Sequence, residues 1–351
     1  MIRPAIASVS LGRASAGHDI IQKLHQASLN GFEGVEIFFE CLEALASTNH
    51  KVEKSPDKQE ILDAATEVHR KCKELNLKVV CLQPFLYFEG LLDETQRQHR
   101  LEDLVFWFEI CEILETDLVQ IASNFQPHGT TGNVDHIVAD LSTAATLGSQ
   151  RSYPIRFAYE AISWGTHIDT WEQAWEIITR VNLPNFGMCL DTFHIAGRVW
   201  ADPTSEQGLN PDADHELDQS LRRLVAEMDP RKIFYVQLSD AERLRSPMRR
   251  GHPLYQDSMK PRMLWSRNAR LFPFEDDRRA YLPIWKICYA LFVEMKWEGW
   301  VSEEVFHKSL YTPGDTVVSD LAKRAKVSWD LLDEKLSLAA GNSQVRQRER
   351  L

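Results

Sequence analysis

Short apolar runs alternate with longer amphipathic segments over most of the chain. The first runs lie at residues 5–9, 34–39 and 78–83, and they are rich in Ala, Val, Ile and Phe. Apolar runs of this length are typical of strands that are buried on both faces of a parallel sheet. Between the second and third runs, residues 58–75 carry apolar side chains three or four positions apart. This spacing predicts a helix with one buried face.

The same alternation predicts eight strand–helix pairs. The other strands are expected at residues 117–123, 155–160, 185–191, 232–240 and 299–306, and the other helices at 18–29, 101–115, 135–147, 170–181, 215–228, 283–295 and 316–332. Eight such pairs in roughly 335 residues are typical of an α/β protein that folds as a (β/α)8 TIM barrel. A doubly wound open sheet is the alternative, but no glycine-rich phosphate-binding turn follows the first strand.

Two segments interrupt this regular pattern. Residues 241–279, after the seventh strand, are rich in Arg, Pro and aromatic residues, and the sequence leaves their role open. Residues 339–351 have no apolar period, so we expect a disordered C-terminal tail there. The sequence therefore predicts a single barrel domain over residues 1–338.

Composition and charge exclude several classes of function. The chain has 351 residues, of which 44% are hydrophobic, so it can bury a large core. It carries 40 Lys and Arg against 51 Asp and Glu, a formal net charge of −11. Nucleic acid is not an expected partner, because phosphate binding needs a concentrated basic face, and the compact basic stretch at residues 243–250 is short and broken by Pro247. We expect a small-molecule substrate, and an oligomer stays open.

The cysteines and the termini favour a cytoplasmic location. No C-x-x-C motif occurs, and most cysteines lie in apolar runs, which is typical of reduced thiols in a core. The six are Cys41, Cys72, Cys81, Cys111, Cys189 and Cys288. No apolar run approaches the ~18 residues of a membrane span, and the first residues do not resemble a signal peptide. We therefore expect no contact with a membrane.

Four consecutive strands are expected to end in oxygen-donor side chains, namely Glu160, Asp191, Gln237 and Glu304. In a (β/α)8 barrel, these strand ends meet at the mouth where reacting groups lie. Three carboxylates this close do not all stay ionised without a compensating cation. The sequence therefore predicts a site for one divalent cation, Mg²⁺, Mn²⁺ or Co²⁺. A single strand-end glutamate more often forms a salt bridge, but four consecutive donors favour the metal.

Two adjacent glutamates end the eighth strand, and only one of them can face the mouth. Side chains alternate along a strand, so Glu303 shares a face with Val301 and Val305. Glu304 lies on the other face, together with Ser302. A polar mouth therefore favours Glu304, both as a ligand and as a candidate catalytic group.

Five further side chains are candidates for binding or catalysis. His194 lies three residues after the aspartate of the sixth strand, and it could transfer a proton near neutral pH, although a helix-start histidine is the alternative. Arg267 and Arg270 could bind an anionic substrate or stabilise an oxyanion, or could belong to a salt-bridged lid. His18, after the first strand, and Gln83, at the end of the third, could line the same pocket.

Eight segments of the chain resemble those of a known enzyme family. They are SVSLGRASAGH, VVCLQPF, RLEDLVFWFE, RFAYEAISW, NFGMCLDTFHIAGRV, FYVQLSDAE, MLWSRNARLF and GWVSEEVF. On these segments the chain resembles the fungal 3-dehydroshikimate dehydratases of quinate breakdown, within the superfamily of xylose isomerase-like barrels. The resemblance implies a metal-dependent hydro-lyase that makes protocatechuate from 3-dehydroshikimate. It implies that the four strand-end residues are the metal ligands, that His194 is the catalytic histidine and that Arg270 is an active-site arginine.

Three other functions stay open at the level of sequence. A divalent-metal sugar epimerase or isomerase of the same superfamily usually has histidine at the end of the seventh strand, where this chain has Gln237. A DNA endonuclease with three zinc ions would need several histidine ligands and a basic surface. A non-catalytic barrel would bind a cyclic acid without turnover. Within the dehydratase hypothesis, either His194 or a metal-site glutamate could remove the proton.

Overall fold

In the computed structural model, which describes residues 1–47 and 55–348 (side chains through residue 341), eight parallel strands close into a barrel. The barrel strands are β1 (Ile2–Ala7), β2 (Gly34–Phe38), β3 (Lys78–Phe85), β4 (Leu118–Ala122), β5 (Arg156–Glu160), β6 (Phe186–Asp191), β7 (Ile233–Leu238) and β10 (Gly299–Glu303). Pairing between β1 and β10 closes the ring. Two short strands, β8 (Asp240–Ala241) and β9 (Arg270–Leu271), form a separate antiparallel pair. The predicted (β/α)8 barrel is confirmed.

Helices surround the barrel, and several begin at a polar capping residue. They are α1 (Ile20–Leu29), α2 (Phe39–Ser47), α3 (Lys58–Glu74), α4 (Glu94–Leu114), α5 (Val134–Ser149), α6 (Trp171–Val181), α7 (Thr192–Val199), α8 (Ala213–Glu227), α9 (Pro261–Ala269), α10 (Ile284–Cys288) and α11 (Val317–Arg348). The Asp57 and Thr170 side chains accept backbone N–H groups in capping boxes at α3 and α6. Among the described residues, no helix has the length and apolarity to cross a membrane.

Some element boundaries differ from the prediction. Strand β3 continues through Pro84 to Phe85, because the ladder to β4 uses Leu82 and Phe85 on either side of the proline. Helix α11 extends to Arg348, so the expected tail is helical at residues 339–348, while 349–351 lie outside the described residues. Alanine has the highest helix propensity, and a helix that has already formed extends at little cost. An apolar period is needed for packing but not for this extension.

The interior of the barrel has an apolar layer below a polar layer. Every second side chain of a strand points inward. The lower layer consists of Ala5, Gly34, Cys81, Leu118, Ala158, Cys189, Tyr235 and Trp300. Two residues further along the strands come Ala7, Glu36, Gln83, Gln120, Glu160, Asp191, Gln237 and Ser302. Seven of these eight side chains are polar, so the chemistry of the barrel is concentrated at the carboxyl ends of the strands.

Gly34 shows how tightly the lower layer is packed. A Cβ atom at this position would lie 2.7 Å from Val80 Cγ2 and 2.8 Å from Trp300 Cζ3. Only glycine therefore fits beneath Glu36, which is fully buried at the next inward position of β2.

The long segment after β7 folds back across the mouth of the barrel. Strand β9 pairs with β8, and the Arg270 backbone N–H donates to Phe306 O just beyond β10. The Lys260 ammonium donates to Trp164 O at 3.0 Å, which ties the start of α9 to the loop after β5. The segment whose role the sequence left open thus brings α9 and Arg270 to the strand ends.

Candidate active site

A cavity of about 370 Å³ opens at the carboxyl ends of the strands. Six of the side chains singled out from the sequence line it, namely Gln83, Glu160, His194, Arg267, Arg270 and Glu304. Aromatic side chains form much of the remaining wall, including Phe38, Phe125, Trp164, Phe306 and Tyr311. The cavity therefore combines charged groups at its base with apolar walls, which is typical of a site for a small polar ring.

Three carboxyl groups meet at the base of the cavity, on Glu160 of β5, Asp191 of β6 and Glu304 just after β10. Glu160 and Glu304 line the cavity, whereas Asp191 lies behind Arg270 and does not. Each residue is at most 4% exposed. Glu160 Oε2 accepts a hydrogen bond from the Gln120 amide, whereas its Oε1 is buried without a partner among the described residues. Asp191 Oδ1 accepts the Phe193 backbone N–H at 2.7 Å, which fixes the carboxyl group at the start of α7.

Arg270 is held rigidly between these acids. Its Nη1 donates to Asp191 Oδ2 at 2.6 Å and lies 3.3 Å from Glu304 Oε2. Its Nε donates to Ser266 Oγ at 2.9 Å, and the guanidinium lies 4.3 Å from the centre of the Phe193 ring. Since Arg270 is 1% exposed and bonded on all sides, it compensates the carboxylates and is not free to capture an anion from solvent.

His194 lies between the acids, Arg270 and the loop after β5. Its Nε2 is 2.9 Å from Arg270 Nη2 and 3.6 Å from both Glu160 Oε1 and Asp191 Oδ2. At Nδ1, Ser163 presents a backbone N–H at 3.0 Å and a hydroxyl at 3.2 Å. Arg270 Nη2 can only donate a hydrogen bond, so the neutral ring accepts at Nε2, and the Ser163 hydroxyl is the group at Nδ1 that can accept the ring proton.

Burial dominates the electrostatics of this cluster. It raises the pKa of Glu160 well above the usual value, and repulsion from Asp191 and Glu304 adds to the effect. Burial also raises the pKa of Asp191, and that of Glu304 to about 8, although Arg270 opposes both shifts. Burial and the charge of Arg270 hold the pKa of His194 well below its usual value, so the imidazole is neutral.

The cluster has the charge and the donor atoms that suit a metal ion. Ligand atoms of Glu160, Asp191 and His194 all lie within 4.8 Å of one another, and Glu160 Oε1 has no other partner in the described chain. If all three carboxyl groups are ionised, they carry two more negative charges than Arg270 balances, an excess that one divalent cation would neutralise. This buried group could therefore hold a metal ion.

Two glutamine amides lie at the edge of the acidic cluster. Gln83 Nε2 donates to Glu304 Oε1 at 2.7 Å and to Glu36 Oε2 at 3.3 Å. Gln237 is fully buried, and its Nε2 donates to Glu36 Oε2 at 2.9 Å. Its Oε1 accepts a weak hydrogen bond from Cys189 Sγ at 3.4 Å. Both amides are thus fixed by interior carboxyl groups.

Sequence reasoning missed Glu36 and Gln120, which belong to the same polar layer. Both lie two positions after an inward-facing residue of the lower layer, so the two-residue period of their strands is the signal that could have found them. Of the two glutamates that end β10, Glu304 lines the cavity, as predicted. Glu303 faces away from it, and burial raises its pKa well above the usual value, with the Ser328 side chain only partly opposing the shift.

His18 and Arg267, two further candidates, lie in different environments. His18 is not among the residues that line the cavity. Its Nε2 is 2.9 Å from Thr312 O, and its ring packs over Gly12, where a Cβ atom would come within 2.5 Å. Arg267 lines the cavity, is exposed and forms no ion pair with any described residue, although its guanidinium lies 5.9 Å from the Phe125 ring.

Comparison with known proteins identifies the family. Residues 24–327 match the xylose isomerase-like TIM barrel family. The chain is 44% identical over 338 residues to the 3-dehydroshikimate dehydratase of Neurospora crassa, covering 95% of this chain and 94% of that protein. It is 31% identical over 264 residues to the 3-dehydroshikimate dehydratase of Pseudomonas aeruginosa, covering 75% of this chain but 33% of that protein.

A solved structure confirms the fold. The xylose isomerase-like TIM barrel/4-hydroxyphenylpyruvate dioxygenase fusion protein superposes with a TM-score of 0.72 at 24% identity, over 98% of this chain and 44% of the fusion chain. The chain therefore belongs to the xylose isomerase-like TIM barrel family and, within it, to the group that includes the Neurospora 3-dehydroshikimate dehydratase.

Proposed function

We propose that the chain is a 3-dehydroshikimate dehydratase, a hydro-lyase that converts 3-dehydroshikimate into protocatechuate. The observation that carries this proposal is 44% identity to the Neurospora dehydratase over nearly the full length of both proteins. The cavity supports it, because it offers a buried acidic cluster, a neutral histidine and a free arginine to a small cyclic acid. These are the groups that a dehydration beside a ketone requires.

We assign one divalent cation to Glu160, Asp191, Gln237 and Glu304. The carboxylates supply charge and the amide supplies a neutral oxygen, which suits Mg²⁺, Mn²⁺ or Co²⁺. The unpartnered Oε1 of Glu160 supports the assignment. When bound, the cation would act as a Lewis acid toward the ketone of the substrate and lower the pKa of the neighbouring C–H.

His194 is assigned to proton transfer. With its ring proton on Nδ1, facing Ser163 Oγ, its Nε2 lies beside the cavity and accepts from Arg270 Nη2 at 2.9 Å, so this contact must open before Nε2 takes a proton from the substrate. The neutral imidazole can then take the proton next to the ketone and return it to the departing hydroxyl group, so that water leaves. The ring then loses a second C–H proton and the former ketone oxygen gains one, which gives the aromatic phenol, whose stability drives the reaction forward.

Arg267 is assigned to the substrate carboxylate. It is the candidate arginine that is exposed in the cavity without an ion-pair partner in the described chain, whereas Arg270 is occupied by Asp191 and Glu304. A guanidinium can hold a carboxylate through two parallel hydrogen bonds. Phe125 and Trp164, on the same wall, offer apolar surface to the substrate ring.

Removal of the metal should abolish turnover. Protein stripped by a chelator is expected to form no protocatechuate from 3-dehydroshikimate, because the ketone is then not polarised, and Mg²⁺, Mn²⁺ or Co²⁺ should restore activity. The assay is the ultraviolet absorbance of the product, and the control is chelator saturated with metal beforehand. Full turnover by protein shown to be metal-free by elemental analysis would contradict the metal assignment.

The two adjacent glutamates of β10 should behave differently. Glu304→Gln is expected to weaken Mn²⁺ binding by at least about tenfold and to lower kcat with it, because it removes a charged ligand. Glu303→Gln, the matched control on the other face of the strand, should change both by less than about threefold. Isothermal titration with Mn²⁺ and steady-state kinetics give the two readouts. Reversed effects would mean that Glu303 is the ligand.

Loss of the imidazole should slow the chemical step without loss of metal. His194→Ala is expected to lower kcat by about 10²- to 10⁴-fold, the usual contribution of general acid–base catalysis, with the metal content unchanged. Single-turnover exchange of the substrate proton with solvent deuterium should fall in parallel. A metal-replete His194→Ala enzyme with normal kcat would remove His194 from the mechanism and make a metal-site glutamate the base.

The two arginines should give different kinetic signatures. Arg267→Ala is expected to raise KM by about tenfold or more with a smaller effect on kcat, because it removes a charged hydrogen-bond partner of the substrate. Arg270→Ala should lower kcat/KM and thermal stability together, since it leaves buried carboxylates without their cation. Arg270→Lys should rescue poorly, because an ammonium cannot reproduce the planar fork. A raised KM in Arg270→Ala alone, with normal Arg267→Ala kinetics, would exchange the two roles.

A further inference from the structure

Glu36 is a buried acid for which the proposed reaction has no direct use. We propose that Glu36 is a positioning residue, whose carboxylate orients the amides of Gln237 and Gln83 around the metal ligands. This inference rests on the metal site assigned above and adds to it a residue that supports the ligands from within the same polar layer. It names no new contact with the substrate.

One oxygen atom of Glu36 accepts from both amides. Glu36 Oε2 lies 2.9 Å from Gln237 Nε2 and 3.3 Å from Gln83 Nε2. A glutamine amide has nearly the same shape after a half-turn that exchanges its oxygen and nitrogen, so hydrogen-bond partners alone decide its orientation. An acceptor on the Glu36 side selects the NH₂ group for that side. The oxygen of each amide must then point elsewhere.

For Gln237, this choice presents the correct atom to a cation. With Nε2 held by Glu36, Gln237 Oε1 lies toward β6, where it contacts Cys189. Cys189 precedes Asp191 by two residues in that strand. The opposite orientation would turn the NH₂ group toward β6, the strand that carries Asp191, and an NH₂ group cannot bind a metal ion. Glu36 therefore favours the ligating state of the amide before the cation arrives.

For Gln83, the same carboxylate supports a second ligand. The two protons of the Gln83 NH₂ group serve Glu36 Oε2 and Glu304 Oε1, the latter at 2.7 Å. Because one end of this bridge is anchored on β2, the Gln83 amide is held where it also binds the Glu304 carboxylate, which follows β10, the second strand from β2 around the barrel. A single interior acid thus orients the amide ligand and one carboxylate ligand together.

The cost of burying Glu36 supports a positioning role. The residue is fully buried, and no Lys, Arg or His donates a hydrogen bond to it or forms an ion pair with it within the described chain. The hydroxyl groups of Ser302 and Tyr235 also lie beside this carboxyl group, so its polar neighbours are hydroxyls and amides, all of them uncharged. An apolar side chain of similar size would fill such a position at a lower desolvation cost. The carboxylate accepts from two amides, and an apolar residue would leave the Gln237 NH₂ group without this acceptor and the Gln83 NH₂ group with Glu304 alone.

Two conservative variants separate orientation from charge. Glu36→Gln keeps the length of the side chain and an acceptor oxygen but removes the charge. Glu36→Asp keeps the charge but withdraws the carboxylate by one methylene group, out of reach of both amides. We expect Glu36→Asp to weaken Mn²⁺ binding by about ten- to a hundredfold, the usual effect of losing an outer partner of metal ligands. Glu36→Gln should stay within about threefold of the wild type.

The measurement is Mn²⁺ titration of the full chain, stripped of metal, followed by isothermal calorimetry and by the electron spin resonance of free Mn²⁺. Circular dichroism and thermal unfolding without metal establish that each variant is folded. Gln237→Ala removes the amide while leaving Glu36 intact, which provides a second test of the same contact. If the carboxylate acts mainly through this amide, Glu36→Asp should weaken Mn²⁺ binding much less in the Gln237→Ala protein than in the wild type.

Each outcome has one meaning. A strong effect of Glu36→Asp with little effect of Glu36→Gln supports positioning. Positioning is overturned if Glu36→Gln weakens Mn²⁺ binding as much as Glu36→Asp does, or more. It is also overturned if Glu36→Asp causes the same loss of Mn²⁺ binding in the Gln237→Ala protein as in the wild type. If the wild-type chain itself binds no Mn²⁺, the proposed metal site fails, and this inference fails with it. Normal Mn²⁺ binding by Glu36→Asp alone overturns the role of Glu36 and leaves the metal site intact.

Discussion

The burial of three carboxyl groups at one end of the barrel is the constraint on which the rest of the site depends. Glu160, Asp191 and Glu304 repel one another and have lost most of their hydration, so each must be compensated by donors or cations. The long segment after β7 supplies one cation, Arg270, by folding α9 and β9 back over the mouth. The amides of the polar layer supply neutral donors. The excess negative charge that remains could be compensated by a metal ion.

Residues of the same type have different roles here, according to where they lie relative to the cavity. Arg270 is sealed among acids and aromatic rings, where its charge stabilises the carboxylates, whereas Arg267, three residues earlier, projects into the open cavity without an ion-pair partner in the described chain. His194 and His18 are both buried, but His194 contacts the acidic cluster, while His18 bonds to a backbone carbonyl. Residue type alone therefore does not assign chemistry in this site. The partners of each side chain do.

Local periodicity was enough to predict the fold and much of the site. The alternation of apolar strands and amphipathic helices predicted the barrel, and strand ends alone predicted Glu160, Asp191 and Glu304. Glu36 and Gln120 escaped because they lie inside predicted strands, where their inward direction depends on the register of the whole barrel. The locked state of Arg270 depends on pairing between β8 and β9, which are almost thirty residues apart, and no local pattern encodes that contact.

An amide at the end of β7 has consequences that a histidine would not have. Imidazole binds a metal through nitrogen and is controlled by the proton on its other nitrogen, whereas an amide offers a neutral oxygen that no proton can block at ordinary pH. The amide must, however, be held in the correct one of two nearly identical orientations. Gln237 therefore requires an acceptor that faces its NH₂ group, and Glu36 is the acceptor that this group contacts. The amide at the end of β7 and the acid inside β2 are thus physically linked, although about two hundred residues separate them in the chain.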